Sequence, residues 1–480
     1  MTVLKKIIHK YEGMSVASKA TIWFMACTLI QKGLSFITTP IFARLLTTEQ
    51  YGIYNVYGSW MQILIIFATL RLDYAVFNKG MSKYSEDRDG YTSSMLGFTT
   101  IVTSLMLILY CIFREWINSF TELSSVLMLT MFAELYVVSA VNFWSLRERY
   151  EFRYKAVVFY TLATAVASSG LGIVAVLIFE DGGAARILSN AVVYVFGGII
   201  IGIIVFCRGK KFFEFEYVKF AMVFNMPLML HYFSSYIIEQ SDRIMIQKLE
   251  SLSATALYSI AYTVGGLTKI VTGAISNTLI PLQYRWLEKK EFVTLGKNLV
   301  TLMFGVGGLA ILVALAGPEV VLFFGGEEYV SAVYVIPPVA ASVFFSFLYN
   351  IVANIEFYYG KNKYAMKISC VCAGINIVLN FILIPVFGYV AAAYTTLFSY
   401  IVFAVGHIVY VNYLFKKNEQ YKGLNSKAFY AMGIGVTVCC VLVGLLYQSI
   451  VVRVLLVIGI MGVVVWKRKR LVEVLKKRNE

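Results

Sequence analysis

The sequence predicts an all-α, polytopic integral membrane protein of about fourteen transmembrane helices, built as two pseudo-symmetric six-helix halves followed by a C-terminal helix pair. Three observations predict it. Of 480 residues, 59% are hydrophobic and 14% charged, with a mean hydropathy of +0.74, far too apolar for a soluble globular chain. Apolar windows of roughly 20 residues, the length that crosses ~30 Å of hydrocarbon, recur from end to end. Basic residues crowd into every second connection between those windows.

The windows lie near 20–45, 51–77, 92–113, 123–146, 156–179 and 184–206. A second set follows near 220–247, 253–284, 296–316, 331–356, 365–387 and 390–414, and then a pair near 428–447 and 450–466. The lead MTVLKKIIHKYEG is basic and amphipathic, with no small-residue cleavage site before a soluble domain, which argues against a removed secretory signal. The domain reading is residues 1–207 as the first half, 208–220 as a cytoplasmic linker, 221–414 as the second half, and 415–480 as the extra pair with a basic tail.

Charge sets the orientation. The lead, the even-numbered connections and the tail hold 33 of the 42 Lys and Arg residues, whereas the opposite connections hold Arg44, Arg114, Arg186, Lys248 and Arg453. By the positive-inside rule both termini face the cytoplasm. The net charge of +15 is thus a matter of topology, and nucleic acid is not expected as a partner. The opposite connections are short and leave no outer domain to carry a catalytic site.

Several chemistries find no support. The seven cysteines fall in or beside apolar runs without a CxxC pair, so neither a disulfide framework nor a metal site is expected. His9, His231 and His407 make no zinc set and no triad, and no phosphate-binding GxxxxGK[ST] loop occurs. No cofactor and no catalytic residue is expected. Energy would come from an ion gradient or from consumption of the transported product.

Polar residues inside the windows are the candidate functional groups, because a charge in hydrocarbon costs roughly 2.5–3.5 kcal/mol and demands a partner or water. At 1.5 Å per residue, Lys32, Glu134, His231 and Lys269 fall near one depth, two from each half. Polar stripes at helical spacing accompany them: Thr28, Lys32, Ser35 and Thr39 in the first window, and Asn55, Ser59, Gln62, Thr69 and Asp73 in the second. The seventh window carries His231, Ser235, Glu239 and Asp242, and the eighth Tyr262, Gly266, Lys269, Gly273 and Ser276. Arg71 with Asp73, and Glu239 with Asp242 and Arg243, read equally as ion pairs that knit helices. Arg44 and Lys248 read as side chains reaching outer headgroups. Asp73, Glu134, His231, Glu239 and Asp242 are the groups able to take up protons, and the sequence does not choose among them.

The halves align at an offset of 204 residues, which lays IFARLLTTEQYGIYNVY (Ile41 to Tyr57) on MIQKLESLSATALYSIA (Met245 to Ala261). Six helices is an even number, so the repeats are parallel, related by an axis along the membrane normal.

The segments TPIFARLLTTEQYGIYNVY, SDRIMIQKL followed by ALYSIAY, and LNFILIPVFGYVAAAYTTL resemble the recurring segments of bacterial polysaccharide transporters of the Wzx type. These belong to the multidrug/oligosaccharidyl-lipid/polysaccharide (MOP) exporter superfamily, which also holds multidrug exporters and lipid II flippases. The resemblance covers essentially the whole chain. It implies an alternating-access flippase for a polyprenyl-pyrophosphate-linked oligosaccharide, in the bacterial cytoplasmic membrane. Its partners would be that lipid-linked substrate, membrane lipid, and a polysaccharide polymerase or other assembly proteins. A central cationic cavity would take the pyrophosphate, with Lys32, Lys269 and Arg71 as the cations. Gln62, Asn350 and Asn354 become candidates for sugar hydroxyls. Two other classes stand beside this reading: an ion-coupled exporter of drugs or metabolites, and a membrane polysaccharide polymerase or glycosyltransferase. Deep lysines favour an anionic cargo over a cationic drug, and the short outer connections, such as LLTTEQYG, argue against the enzyme.

Overall fold

The computed structural model describes residues 11–419, 421, 423–460 and 462, and every regular element among them is helical. Lys5, Lys6 and Lys10 of the basic lead and the tail from Lys467 lie outside the described residues. By contacts the chain divides into two compact units, Met1–Tyr232 and Phe233–Glu480.

The first unit contains α1 (Val16–Leu45), α2 (Thr48–Thr69), α3 (Ala75–Lys83), α4 (Arg88–Ile112), α5 (Arg114–Thr121), α6 (Ser125–Tyr150), α7 (Tyr154–Ile178) and α8 (Gly182–Gly209). Helix α9 (Phe215–Leu249) begins in this unit and ends in the next. Short polar residues start the helices. Thr47 accepts the Gln50 amide while the Gln50 side chain accepts the Thr47 amide, a reciprocal cap on α2. Asp87 and Asp181 cap α4 and α8 through the Gly90 and Ala184 amides. The apolar faces meet in two cores, one around Phe77, Tyr91, Phe143 and Trp144, the other around Tyr57, Met61, Met128 and Met131. Helix α4 approaches the connection after α8 backbone to backbone: a Cβ on Gly97 would stand 1.7 Å from the Phe212 carbonyl oxygen.

The second unit continues with α10 (Leu252–Gly265), α11 (Thr268–Glu288), α12 (Phe292–Leu315), α13 (Gly317–Gly325) and a 3-10 turn (Glu327–Val335). Then come α14 (Ile336–Tyr358), α15 (Asn362–Phe387), α16 (Tyr389–Asn418), α17 (Ser426–Leu445) and α18 (Ile450–Ile460). Its core runs through α11, α12, α14, α16 and α17 around Leu299, Met303, Phe344, Leu348, Phe403 and Phe429. The sequence offset places Thr47 on Ser251, and each caps the helix that follows: Ser251 accepts the Ala254 amide at 3.0 Å.

Ten helices among the described residues are long and apolar enough to cross a bilayer, against fourteen windows in the sequence. The four others depart for visible reasons. Helix α2 carries Asn55, Ser59 and Gln62, and α9 carries charges along its length. The eighth window divides into α10 and α11 at Gly266 and Leu267. Of the last window the described residues include Ile450–Ile460 as α18, and most of the remainder lies outside them.

The second window also breaks, and the expected stripe through Asp73 breaks with it. Leu70 and Arg71 adopt left-handed φ values of 47° and 49°, which ends α2. The Arg71 amide turns to Thr69 Oγ1 at 3.1 Å, and the Leu70 carbonyl accepts Asn225 Nδ2 at 2.5 Å. The connection expected at 208–220 is shorter in the structure, because Phe215 to Phe220 already belong to α9.

Candidate functional site

In the second unit, the break between α10 and α11 puts Lys269 at the start of α11, facing α9. Its ammonium donates to Glu239 Oε1 at 3.1 Å and to the Tyr262 hydroxyl at 3.3 Å. Arg243, one turn along α9, stacks over the same Tyr262 ring at 4.7 Å and donates to Ser259 Oγ at 3.2 Å. Lys269, unpaired to the eye of the sequence, is therefore half of an ion pair. The side chains of Lys269 and Glu239 are 35% and 40% exposed. A partly open pair of this kind can exchange its carboxylate for an incoming anion, which a closed buried pair cannot do without a large desolvation cost.

Asp242 takes its hydrogen bonds from elsewhere. It is 1% exposed and accepts three hydrogen bonds, from Tyr258 at 2.5 Å, Thr396 at 2.6 Å and Asn380 Nδ2 at 2.8 Å. Asn376 and Thr395 extend the network, with Asn376 donating to Thr396 at 3.2 Å and Thr395 donating to Asn380. The expected stripe of Glu239 and Asp242 thus divides: Glu239 faces α11, and Asp242 faces α10, α15 and α16.

In the first unit, Glu134 of α6 is buried, accepting the Tyr57 hydroxyl at 2.5 Å and Asn190 Nδ2 at 3.3 Å. Asp73 is buried beyond the end of α2 and accepts Asn142 Nδ2 at 2.8 Å. Arg71 is buried with its guanidinium 3.8 Å above the Tyr74 ring. Lys32 is exposed near the middle of α1 and makes no ion pair among the described residues. His231 is half-buried beside Tyr232, with ring centres 5.9 Å apart.

The sugar-contact candidates separate. Gln62 and Asn350 are exposed. Asn354 is buried and donates to Gln283, which in turn donates to the Ile351 carbonyl, so its amide ties α14 to α11 and is not open to a ligand.

Sequence reasoning missed three arrangements. Asn376, Asn380, Thr395 and Thr396 lay inside apolar windows, where a four-residue Asn spacing was the available signal. Glu356 and His407 form a fully buried pair at 2.7 Å across α14 and α16. Arg186, counted with the outer connections, sits one turn inside α8 and is 7% exposed.

Comparison with known proteins agrees with this fold. Residues 17–286 match the family model described as polysaccharide biosynthesis protein. The Lsg locus putative protein 1 of Haemophilus influenzae is 24% identical over 73% of this chain and 87% of its own length. The probable low-salt glycan biosynthesis flippase Agl15 of Haloferax volcanii is also 24% identical, over 83% of each chain. Among solved structures, lipid II flippase MurJ in an inward closed conformation superposes with a TM-score of 0.65 at 15% identity, covering 93% of this chain and 99% of MurJ. With more than half of its length matched, this multi-pass membrane protein belongs to the polysaccharide biosynthesis protein family.

Proposed function

We propose that this chain is an alternating-access flippase that carries a polyprenyl-pyrophosphate-linked oligosaccharide from the cytoplasmic to the outer leaflet of a bacterial cell membrane during cell-surface polysaccharide biosynthesis. The observation that carries the reading is one lysine on a helix of each unit, Lys32 and Lys269, at the common depth that the helical rise assigns them. Lys32 stands exposed on α1 with no ion pair among the described residues, and Lys269 meets Glu239 in a partly open pair with Arg243 over the same Tyr262 ring. A pyrophosphate brings at least two negative charges through hydrocarbon, where an uncompensated charge is prohibitive. A lysine in each unit meets that demand. A cationic drug would want the opposite balance. The flippase names of the Haloferax and MurJ relatives support a lipid-linked glycan as the cargo class.

The test is a leaflet-exchange assay in proteoliposomes with a fluorescent polyprenyl-pyrophosphate oligosaccharide. Lys32→Gln with Lys269→Gln should lower the rate by tenfold or more, since each lost charge contact is worth roughly 1.5–3 kcal/mol. Parent-rate flipping by a normally expressed double variant refutes the reading and favours an uncharged or cationic cargo.

A further inference from the structure

The first unit holds a cavity of about 230 Å³ between α1, α2, α7 and α8. Its wall is polar, with Gln31, Ser35, Thr38, Ser169 and Asn190 among the lining residues, and no carboxylate lines it. Its charge is Arg186. The guanidinium lies over two aromatic rings, 4.1 Å from the Phe42 ring centre and 5.6 Å from that of Tyr54. Its Nη1 donates to the Ser168 carbonyl at 2.9 Å. Nε is buried without a hydrogen-bond partner, and the guanidinium makes no ion pair among the described residues. Gly172 clears the space it occupies, since a Cβ there would meet Arg186 Nη1 at 2.4 Å and Phe42 at 3.1 Å. Glu134, which shares Asn190 with the cavity wall, has its oxygens held by Tyr57 and Asn190.

A buried, uncompensated guanidinium is costly, and its planar fork of donors matches a carboxylate or phosphoryl group in two-point contact. At about 230 Å³ the space is on the order of one sugar ring. We infer that this cavity is a binding site for a single anionic, hydroxyl-bearing sugar unit, a uronate or a phosphorylated sugar, with Arg186 on the oxyanion and the surrounding hydroxyl and amide groups on the ring. The site deepens the flippase reading by naming an acidic sugar within the cargo, and it rests on that reading for the source of the ligand.

The experiment is calorimetric titration of the purified full chain in lipid nanodiscs, at low salt, with glucuronate, glucose and inorganic phosphate. The parent should bind glucuronate at least tenfold more tightly than glucose. Arg186→Gln should abolish that preference, and Arg186→Lys should keep part of it. Ser169→Phe, which fills the cavity and retains the arginine, should remove binding even where Arg186→Gln fails to fold. Phosphate bound as tightly as glucuronate and lost in Arg186→Gln supports the site and assigns its oxyanion to a phosphoryl group. Equal binding of glucuronate and glucose, glucuronate binding undiminished in Arg186→Gln, or no binding of either anion by the folded parent overturns the inference. Parent-rate flipping by the Lys32 and Lys269 double variant would sink the flippase reading while leaving these binding results standing.

Discussion

The Lys269 ammonium lies 3.1 Å from Glu239 Oε1, joining α11 to α9 through a pair that is more than one-third exposed at both ends. Glu239 can act there as a stand-in for the cargo anion, holding the lysine until a pyrophosphate displaces it. Glu239→Gln should then raise affinity for the anionic cargo several-fold and slow its release. Single-turnover flipping in proteoliposomes separates the two effects. An unchanged binding constant with an unchanged rate would make the pair a helix fastener and nothing more.

Asp242 predicts a stability effect. Its carboxylate satisfies donors on α10, α15 and α16, and removing it strands the buried Tyr258 and Thr396 hydroxyl donors at about 1–3 kcal/mol each and leaves Asn380 Nδ2 only Asn376 Oδ1 at 3.3 Å. Asp242→Ala should lower the melting temperature of the detergent-purified protein well beyond Thr396→Val, which removes one donor. Equal shifts for the two variants would show that the network relaxes around the loss.

Glu134 and Asp73 predict coupling. Each is a buried carboxylate with an amide partner, Asn190 and Asn142 respectively. If one of them carries the driving proton, Glu134→Gln or Asp73→Asn abolishes the dependence of transport on an imposed pH gradient while the protein remains in the membrane. Full gradient-driven transport in both variants assigns the carboxylates to structure.

Asp87 predicts a pH dependence outside the membrane spans. Burial pushes its carboxyl up, but hydrogen bonds from Lys211, Tyr217 and the Gly90 amide outweigh that and hold it below the ordinary carboxylate range. A depressed folded-state pKa stabilises fully above the unfolded value of about 3.9, and the contribution is lost as pH falls through the lowered folded value. Asp87→Asn should therefore melt lower than the parent near neutrality and converge with it on acidification. A deficit that is constant across pH removes the charge from the account.

The topology prediction is that reporters fused after Lys210 and Asn418 read cytoplasmic and one after Gly326 reads external, from the alternation of basic connections. An external signal at Lys210 would reverse the orientation of the first half.

The sequence by itself determined the membrane class, the helical architecture and the places where polar groups interrupt apolar windows. Those follow from composition and periodicity, which are local properties and survive any arrangement of helices. It also marked Lys269, Glu239, Asp242 and Glu134 as buried or half-buried ionisable groups. Only the tertiary structure decided how they combine. Periodicity gives the face of one helix, while a partner depends on the rotation and axial shift of two. The break at Leu70 and Arg71 removed Asp73 from its stripe, and the break at Gly266 and Leu267 placed Lys269 on Glu239. Three helices converging on Asp242 separated it from Glu239, although the two stand less than one turn apart on α9. Arg186 reads as a loop charge until α8 begins before it and α1 and α2 bring the rings of Phe42 and Tyr54 against it. At that point a residue counted for topology becomes a buried cation lining a polar cavity.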